Sequence, residues 1–371
     1  MNYCVLYPNT SNVNLVKEMG MIPYKLYKTY GYNAWIACYK QGEYSYLEKE
    51  VKGLKLEFID KKRNNYMLDG LAYIRENAMR IDILQIFHIT MYSIAYAFLY
   101  KKLNPKGKIY LKLDCSQRLV DRLNNSNYFE KLLVKKYLSK VDLVSLELED
   151  LYEELKNLLP INEEKLVVLP NGLDFEHIKE LNIEYDFDKK ENIVLHVARL
   201  GSEEKRSGKL VEEFIKAIKK DASNEDWKLY LVGTIEEGFR DYYEKVTSQD
   251  TFLRDRIKLI GPIENRAELY YIYNKAKIFS LSSEFESFGF AFIEAAAFGN
   301  VIVSTDVGIA KELTQGKNGA VCGEDQLHTE LIKFMKDKDL KKKSCCIREF
   351  CMERYDWDKI ILKLEQYLSK T

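Results

Sequence analysis

The sequence predicts an α/β protein built from two doubly wound parallel sheets. Short apolar runs alternate with longer amphipathic stretches through most of the 371 residues, the pattern of repeated strand–helix units. That series is interrupted once by a polar stretch and then starts again, which divides the chain into two domains. With 46% hydrophobic and 31% charged residues, the chain is apolar enough to fill two separate cores and too apolar for disorder.

In the first series the expected strands are Cys4 to Tyr7, Ala34 to Tyr39, Leu56 to Ile59, Ile83 to Phe87, Ile109 to Lys112, Leu143 to Leu146 and Leu166 to Leu169. Turn chemistry at Pro170-Asn171-Gly172-Leu173-Asp174 closes the last of them. The second series runs through Ile193 to Val197, Leu229 to Val232, Ile257 to Ile260, Ile278 to Leu281, Val301 to Val303 and Gly319 to Cys322. The expected organisation is therefore a first domain over 1–175, a linker over 176–190 and a second domain over 191–350. A closing segment, 351–371, is expected to carry a final amphipathic helix, Lys359 to Leu368, that packs back on the first domain.

Composition excludes several classes. Lysine plus arginine equals aspartate plus glutamate at 57 each, so no global field attracts nucleic acid. The beginning of the chain lacks a signal-peptide pattern, and no segment approaches the roughly 18 apolar residues of a spanning helix; the expected location is the cytoplasm. Seven cysteines without a CxxC pair point to reduced thiols, with neither a disulfide framework nor a zinc site.

Chemistry concentrates in Ser282 to Gly299, where a strand ending near Leu281 runs into an alanine-rich helix. A helix that starts just after a parallel strand presents backbone N–H groups and a positive dipole end at the sheet's carboxyl edge, a natural seat for a diphosphate. Ser287 adds a hydroxyl donor there, and Gly289 lets phosphate approach the backbone. Glu286 precedes the helix and Glu294 lies about two turns inside it, so their carboxylates can accept from sugar hydroxyls. Taken singly, each has an ordinary reading, Glu286 as a helix N-terminal carboxylate and Glu294 as a solvated residue. In the first strand-to-helix turn of the second series, Arg199 and Lys205 supply two cations near a strand's carboxyl end, where they can neutralise a departing diphosphate.

This segment resembles the E-x7-E region of retaining glycosyltransferases of family 4 type, with Glu286 and Glu294 on its two glutamates. Ala198-Arg199-Leu200 followed by Lys205 is similar to that family's G-R-L and lysine, with alanine in place of the glycine. The resemblance implies the GT-B fold, two Rossmann-like domains facing across a cleft with a C-terminal helix crossing back. It implies that Glu286 contacts the donor sugar, that Ser287, Phe288 and Gly289 bind the diphosphate with Arg199 and Lys205, and that Glu294 holds the ribose. Gly233, ending a strand, and Pro262, in a loop bordering the base, complete the donor set, although each also reads as a plain turn residue.

In the first domain the family often places a histidine at the end of the central strand; here Asp114 stands in that position, where it is either a catalytic carboxylate or the cap of a turn. His88 ends the neighbouring strand and is the other catalytic candidate. Lys17 sits in the first strand-to-helix loop, which lacks the family's paired glycines. From Lys101 to Lys140 lysines outnumber acids and mix with Tyr100, Tyr110, Tyr128, Phe129 and Tyr137. Part of that face is expected to meet anionic lipid at the inner side of the membrane, with an ordinary solvated helix face as the simpler reading.

The resemblance implies a retaining, metal-independent hexosyltransferase. It would use a UDP- or GDP-sugar as substrate, with no cofactor, and a hydroxyl of a glycan or lipid-linked oligosaccharide as acceptor, in cell-surface polysaccharide synthesis. Asp186-Phe187-Asp188 and Asp356-Trp357-Asp358 match a metal-binding D-x-D pattern but lie away from any strand end beside a phosphate. The competing readings are a non-catalytic partner subunit of the same fold that binds nucleotide or glycan, and a nucleotide-sugar epimerase.

Overall fold

A computed structural model describes residues 1–113, 116–220, 222–248 and 250–370. The chain divides into two compact units, Met1–Asp174 joined by Tyr355–Thr371, and Phe175–Arg354.

The first unit holds a seven-stranded parallel sheet: β1 (Asn2–Leu6), β2 (Asn33–Cys38), β3 (Lys55–Phe58), β4 (Ile83–Phe87), β5 (Lys108–Lys112), β6 (Leu143–Leu146) and β7 (Leu166–Val168), in the order β3-β2-β1-β4-β5-β6-β7. Because helices cover both faces, strand side chains alternate between two cores rather than between core and water. Cys4, Leu6, Trp35, Ala37, Leu84 and Ile86 enter one layer. Tyr3, Val5, Ala34, Ile36, Ile83 and Tyr110 enter the other, which the final helix Trp357–Lys370 completes with Trp357, Ile360, Ile361, Leu364 and Leu368.

The second unit holds β8 (Glu191–Val197), β9 (Lys228–Val232), β10 (Ile257–Gly261), β11 (Ala276–Leu281), β12 (Val301–Ser304) and β13 (Ala320–Val321), all parallel, in the order β10-β9-β8-β11-β12-β13. In each sheet the order reverses beside the first strand, between β1 and β4 and between β8 and β11. Such reversals splay the adjoining loops apart and leave a crevice at the carboxyl edge, where open α/β sheets bind ligands.

Two expectations need correction. The stretch 176–190 is more than a linker: Tyr185 Oη lies 2.9 Å from Ser344 Oγ, and Lys190 Nζ donates to the carbonyls of Asn274 and Ala276 at 2.8 and 2.9 Å. Burial pushes the Lys190 ammonium down to a pKa of about 7, with the positive charges of Arg348 and Lys277 adding to the effect. The last break between helices also falls later than position 351. The helix Leu340–Arg354 ends only where Tyr355–Trp357 pairs with the turn at Leu173, through Leu173 N–H to Tyr355 O at 2.8 Å and Trp357 N–H to Leu173 O at 3.1 Å. Asp356 Oδ1 then accepts from Asp358 N–H at 3.0 Å, so the final helix starts at Trp357 rather than Lys359.

The six described cysteines are free thiols. Among the described residues no helix is long and apolar enough to cross a membrane.

Candidate functional site

The reversal point of the second sheet is where the sequence-selected charges gather. The turn after β8 (198–206) and the loop after β11 (282–289) are laced together by backbone and side-chain bonds. Glu284 N–H donates to Glu204 O at 2.8 Å, and Ser282 Oγ, itself buried, donates to Lys205 O at 3.2 Å and Arg206 O at 2.8 Å. Across that seam Lys205 Nζ sits 2.6 Å from Glu286 Oε1, with both side chains largely withdrawn from water at 16% and 13% exposure. Ser283 Oγ donates to the same carboxylate oxygen at 3.0 Å.

Beneath the seam, His196 in β8 ties the two strands to the next helix. Its Nδ1 lies 2.9 Å from Ser280 O, and its Nε2 lies 2.9 Å from Ser207 Oγ. Full burial depresses the imidazole pKa to about 4, so the ring is neutral at physiological pH and serves as a fixed bridge.

The helix Phe290–Ala297 opens from this loop, with Gly289 as its N-cap at φ 86°. A β-carbon at position 289 would carry the cost of that left-handed conformation, so glycine is the residue that allows the chain to turn into the helix there. Phe288 sits deeper than its neighbours. Its ring is 2% exposed, packs edge-on against Phe290 at 5.6 Å, and its carbonyl accepts from Ile309 N–H at 3.1 Å. The Phe288 side chain anchors the loop in the core, so any contribution to an anion comes from its backbone. Ser287 is half-buried at the helix mouth.

Arg199 bonds within its own turn and to the next loop, whereas Glu294 bonds to residues outside this loop pair. Arg199 is 56% exposed and pairs with Glu204 at 3.2 Å and Glu236 at 4.0 Å. Glu294 accepts from Tyr273 Oη at 3.1 Å and lies 3.8 Å from Arg266. Burial raises the Tyr273 phenol well above its ordinary range, and the Glu294 carboxylate adds to that, so Tyr273 is a fixed donor. Arg266 and Tyr273 lie on the helix Arg266–Lys275 and were not singled out from the sequence. Their only sequence signal is that this helix follows the Gly261-Pro262 loop.

Gly233 follows β9 at φ 131°, and a β-carbon there would stand 1.9 Å from the Ala198 carbonyl oxygen. Its N–H donates to Gly261 O at 2.8 Å, which links the ends of β9 and β10, and Pro262 is exposed just beyond. A further group missed by sequence reading is Arg206, which pairs with Glu284 at 3.0 Å and Glu324 at 2.6 Å. Those two acids line an open hollow with Asp306 and Thr305.

In the first unit, His88 follows β4 in a left-handed conformation at φ 57°, uncommon for a residue with a side chain. Its N–H donates to Lys112 O at 3.1 Å and its carbonyl accepts from Ser93 Oγ at 2.8 Å. Asp114 lies outside the described residues. The reversal point beside β1 and β4 forms a hollow lined mainly by rings and aliphatic groups, including Tyr7, Tyr66, Phe87, Tyr92 and Tyr96. Lys17 is half-buried where the 3-10 turn Asn12–Val16 meets the helix Glu18–Tyr30.

The two D-x-D patterns are engaged in structural pairs. Asp186 accepts from Asp188 N–H at 3.0 Å, Asp188 pairs with Lys341 at 2.6 Å, and Asp358 pairs with Lys25 at 2.9 Å.

Two parallel sheets in this arrangement, each reversing beside its first strand, define a GT-B α/β protein, and solved structures agree. The chain matches sucrose-phosphate synthase from Thermosynechococcus elongatus with a TM-score of 0.71 at 15% identity, over 100% of this chain and 98% of that one. It matches Anabaena HepE, solved in complex with UDP and glucose, with a TM-score of 0.70 at 17% identity over the full length of both.

Residues 177–346 match the family described as glycosyl transferases group 1. It is also 30% identical over 191 residues to N-acetyl-alpha-D-glucosaminyl L-malate synthase from Bacillus anthracis. That match covers 50% of this chain and 47% of the synthase, so it spans about half of the relative's length.

Proposed function

We propose that the chain transfers a hexose from a UDP- or GDP-sugar to a hydroxyl of a glycan or lipid-linked oligosaccharide, with retention at the anomeric carbon and without a metal ion, in the making of a cell-surface polysaccharide. The observation that carries this reading is the Lys205–Glu286 pair at the carboxyl edge of β8 and β11, beside the mouth of the helix Phe290–Ala297. It puts a cation, a carboxylate and a helix N-terminus within one loop pair, which are the groups needed to hold a diphosphate and a sugar hydroxyl at once.

Departure of a nucleoside diphosphate leaves negative charge on the leaving oxygen. Lys205 takes that charge, helped by the helix N–H groups and by Arg199, whose exposed guanidinium exchanges its surface acids for phosphate oxygens. Glu286, released from Lys205, accepts from a sugar hydroxyl and orients the ring. Glu294, held by Tyr273 and Arg266, accepts from the ribose. Once the donor has drawn these partners to itself, they lower the barrier because no further rearrangement is needed as charge develops. The relatives support the donor class: one is named for handling an N-acetylglucosaminyl group, and another was solved with UDP and glucose.

The test is a turnover assay of the purified chain with UDP- and GDP-hexoses and a panel of glycan acceptors, in EDTA and with added Mn²⁺. Product formed equally in EDTA, with the donor's anomeric configuration retained by NMR, supports the reading. Loss in EDTA that Mn²⁺ restores contradicts the metal-free mechanism. Nucleotide binding with neither transfer nor slow donor hydrolysis points to a partner subunit without catalysis.

A further inference from the structure

The lysine-rich stretch of the first unit is narrower on the folded surface than in the sequence. Lys112 is buried beside Glu147 at 3.6 Å, Lys101 pairs with Asp142 at 2.8 Å, and Lys108 donates to Leu368 O at 2.7 Å. Tyr100, Tyr110 and Tyr137 lie in the cores. Lys102 and Lys106 also stay exposed, and the rest of what is left outside is concentrated on one helix, Tyr128–Leu138, and the residue two positions beyond it, Lys140.

At about 100° per residue, Tyr128, Phe129, Lys131, Leu132, Lys135 and Lys136 share about 160° of the helix circumference, while Tyr137 and Val134 point the other way. The outer arc is solvent-facing and apolar at its beginning. Tyr128 is 75% exposed, Phe129 79% and Leu132 40%, and the two rings touch each other edge-on at 5.9 Å. Among the described residues the Nζ groups of Lys131, Lys135, Lys136 and Lys140 form no ion pair. The one acid of the segment, Glu130, is spent on the helix cap, accepting from Asn127 N–H at 2.9 Å. Beside the arc, a hollow lined by Leu123, Leu132, Leu158 and Pro160 continues the apolar surface.

We propose that the helix Tyr128–Leu138 docks the protein on an anionic lipid bilayer, with Tyr128, Phe129 and Leu132 entering the headgroup–acyl boundary and Lys131, Lys135, Lys136 and Lys140 meeting lipid phosphates. The chain's charges cancel overall, so no global field draws it to a membrane, and this local, uncompensated cluster supplies the attraction. Outward aromatic rings beside lysines whose aliphatic stems lie along the same arc are the chemistry of an interfacial helix. Single-stranded RNA would use the lysines and rings but not Leu132 or the apolar hollow. A second copy of this neutral chain would bring its own unpaired lysines against these.

The experiment is vesicle flotation of the full chain at low salt, with phosphatidylglycerol-containing and pure phosphatidylcholine vesicles. It compares the natural sequence with Tyr128→Ser/Phe129→Ser and with Lys131→Glu/Lys135→Glu/Lys136→Glu. The unaltered chain floats with the anionic vesicles alone, and each variant reduces the bound fraction by at least about tenfold with an unchanged melting temperature, since the altered side chains are exposed. No retention on anionic vesicles, equal retention on both vesicle types, or retention unaffected by the charge reversals overturns the proposal. So does RNA binding or self-association that these substitutions abolish in a chain that never floats.

Discussion

The two sheets follow one topological rule and line their reversal points with opposite chemistry. Between β1 and β4 the crevice is walled by Tyr7, Tyr66, Phe87, Tyr92 and Tyr96. Between β8 and β11 the loops bring Lys205 to Glu286, and Arg206 to Glu284 and Glu324. Topology therefore fixes where a ligand is held, and the loop residues decide which ligand. Aromatic rings suit the apolar faces of a sugar, and a charged seam at a helix mouth suits a diphosphate.

The comparison breaks most visibly if a lesion in one unit disables the other. Trp357, 1% exposed, fills the first unit's core, so Trp357→Ala costs about 3–5 kcal/mol of stability. Chemical denaturation measures that loss. At temperatures where the variant is folded, its affinity for UDP or GDP is unchanged, and a collapse of nucleotide binding there joins the two edges into one site.

Lys205→Ala removes the cation from the second edge. Turnover with the preferred donor falls by about a hundredfold to a thousandfold, the range for losing one preorganised charge-stabilising group. Steady-state kinetics beside a melting curve show whether this happens without unfolding. Gly233→Ala tests the same edge through the backbone: its β-carbon meets the Ala198 carbonyl at a positive φ, and the strain costs about 1–3 kcal/mol. An unchanged melting temperature would mean that the β8 turn yields freely.

His196 gives the second edge a pH signature. Its folded pKa of about 4 lies below the ordinary 6.5, so between those values the unfolded chain binds a proton that the folded chain refuses. The stability it contributes is complete above about pH 6.5 and is lost progressively as pH falls through about 4. Melting temperatures across that window fall for the natural chain, and His196→Gln flattens the fall. The smallest effect belongs to the aromatic hollow: Tyr92→Ala alters UDP or GDP affinity by no more than about twofold, because an exposed ring of the first unit brings neither a charge nor a helix mouth to a diphosphate. A larger change by calorimetry would place nucleotide at the first edge.

Much of this is legible in the amino-acid sequence. Parallel strands buried on both faces read as unbroken apolar runs, and β4 and β6 fall at the bounds read from their sequences. Lys205 and Glu286 were legible as strand-end residues for the same reason. Their pairing was not, because it depends on two loops separated by β9, β10, β11 and the intervening helices. Exposed Arg199 and half-buried Glu294 chose partners through local loop geometry that periodicity does not encode. The helix break at Tyr355 was hidden for a related reason: a backbone pairing with Leu173, far away in sequence, sets it. Lysines between 101 and 140 looked alike in the sequence and divided in the fold into buried, paired and exposed groups.

The central claim is that nucleotide is held by the loops after β8 and β11. Hydrogen exchange measured by mass spectrometry with and without UDP or GDP tests it most directly. The account predicts slowed exchange in peptides covering 198–207 and 282–292, reduced in Lys205→Ala, with the peptides around Tyr7, Tyr66 and Tyr92 unchanged. Protection confined to those first-unit peptides, or protection in the second unit that Lys205→Ala leaves intact, would contradict it.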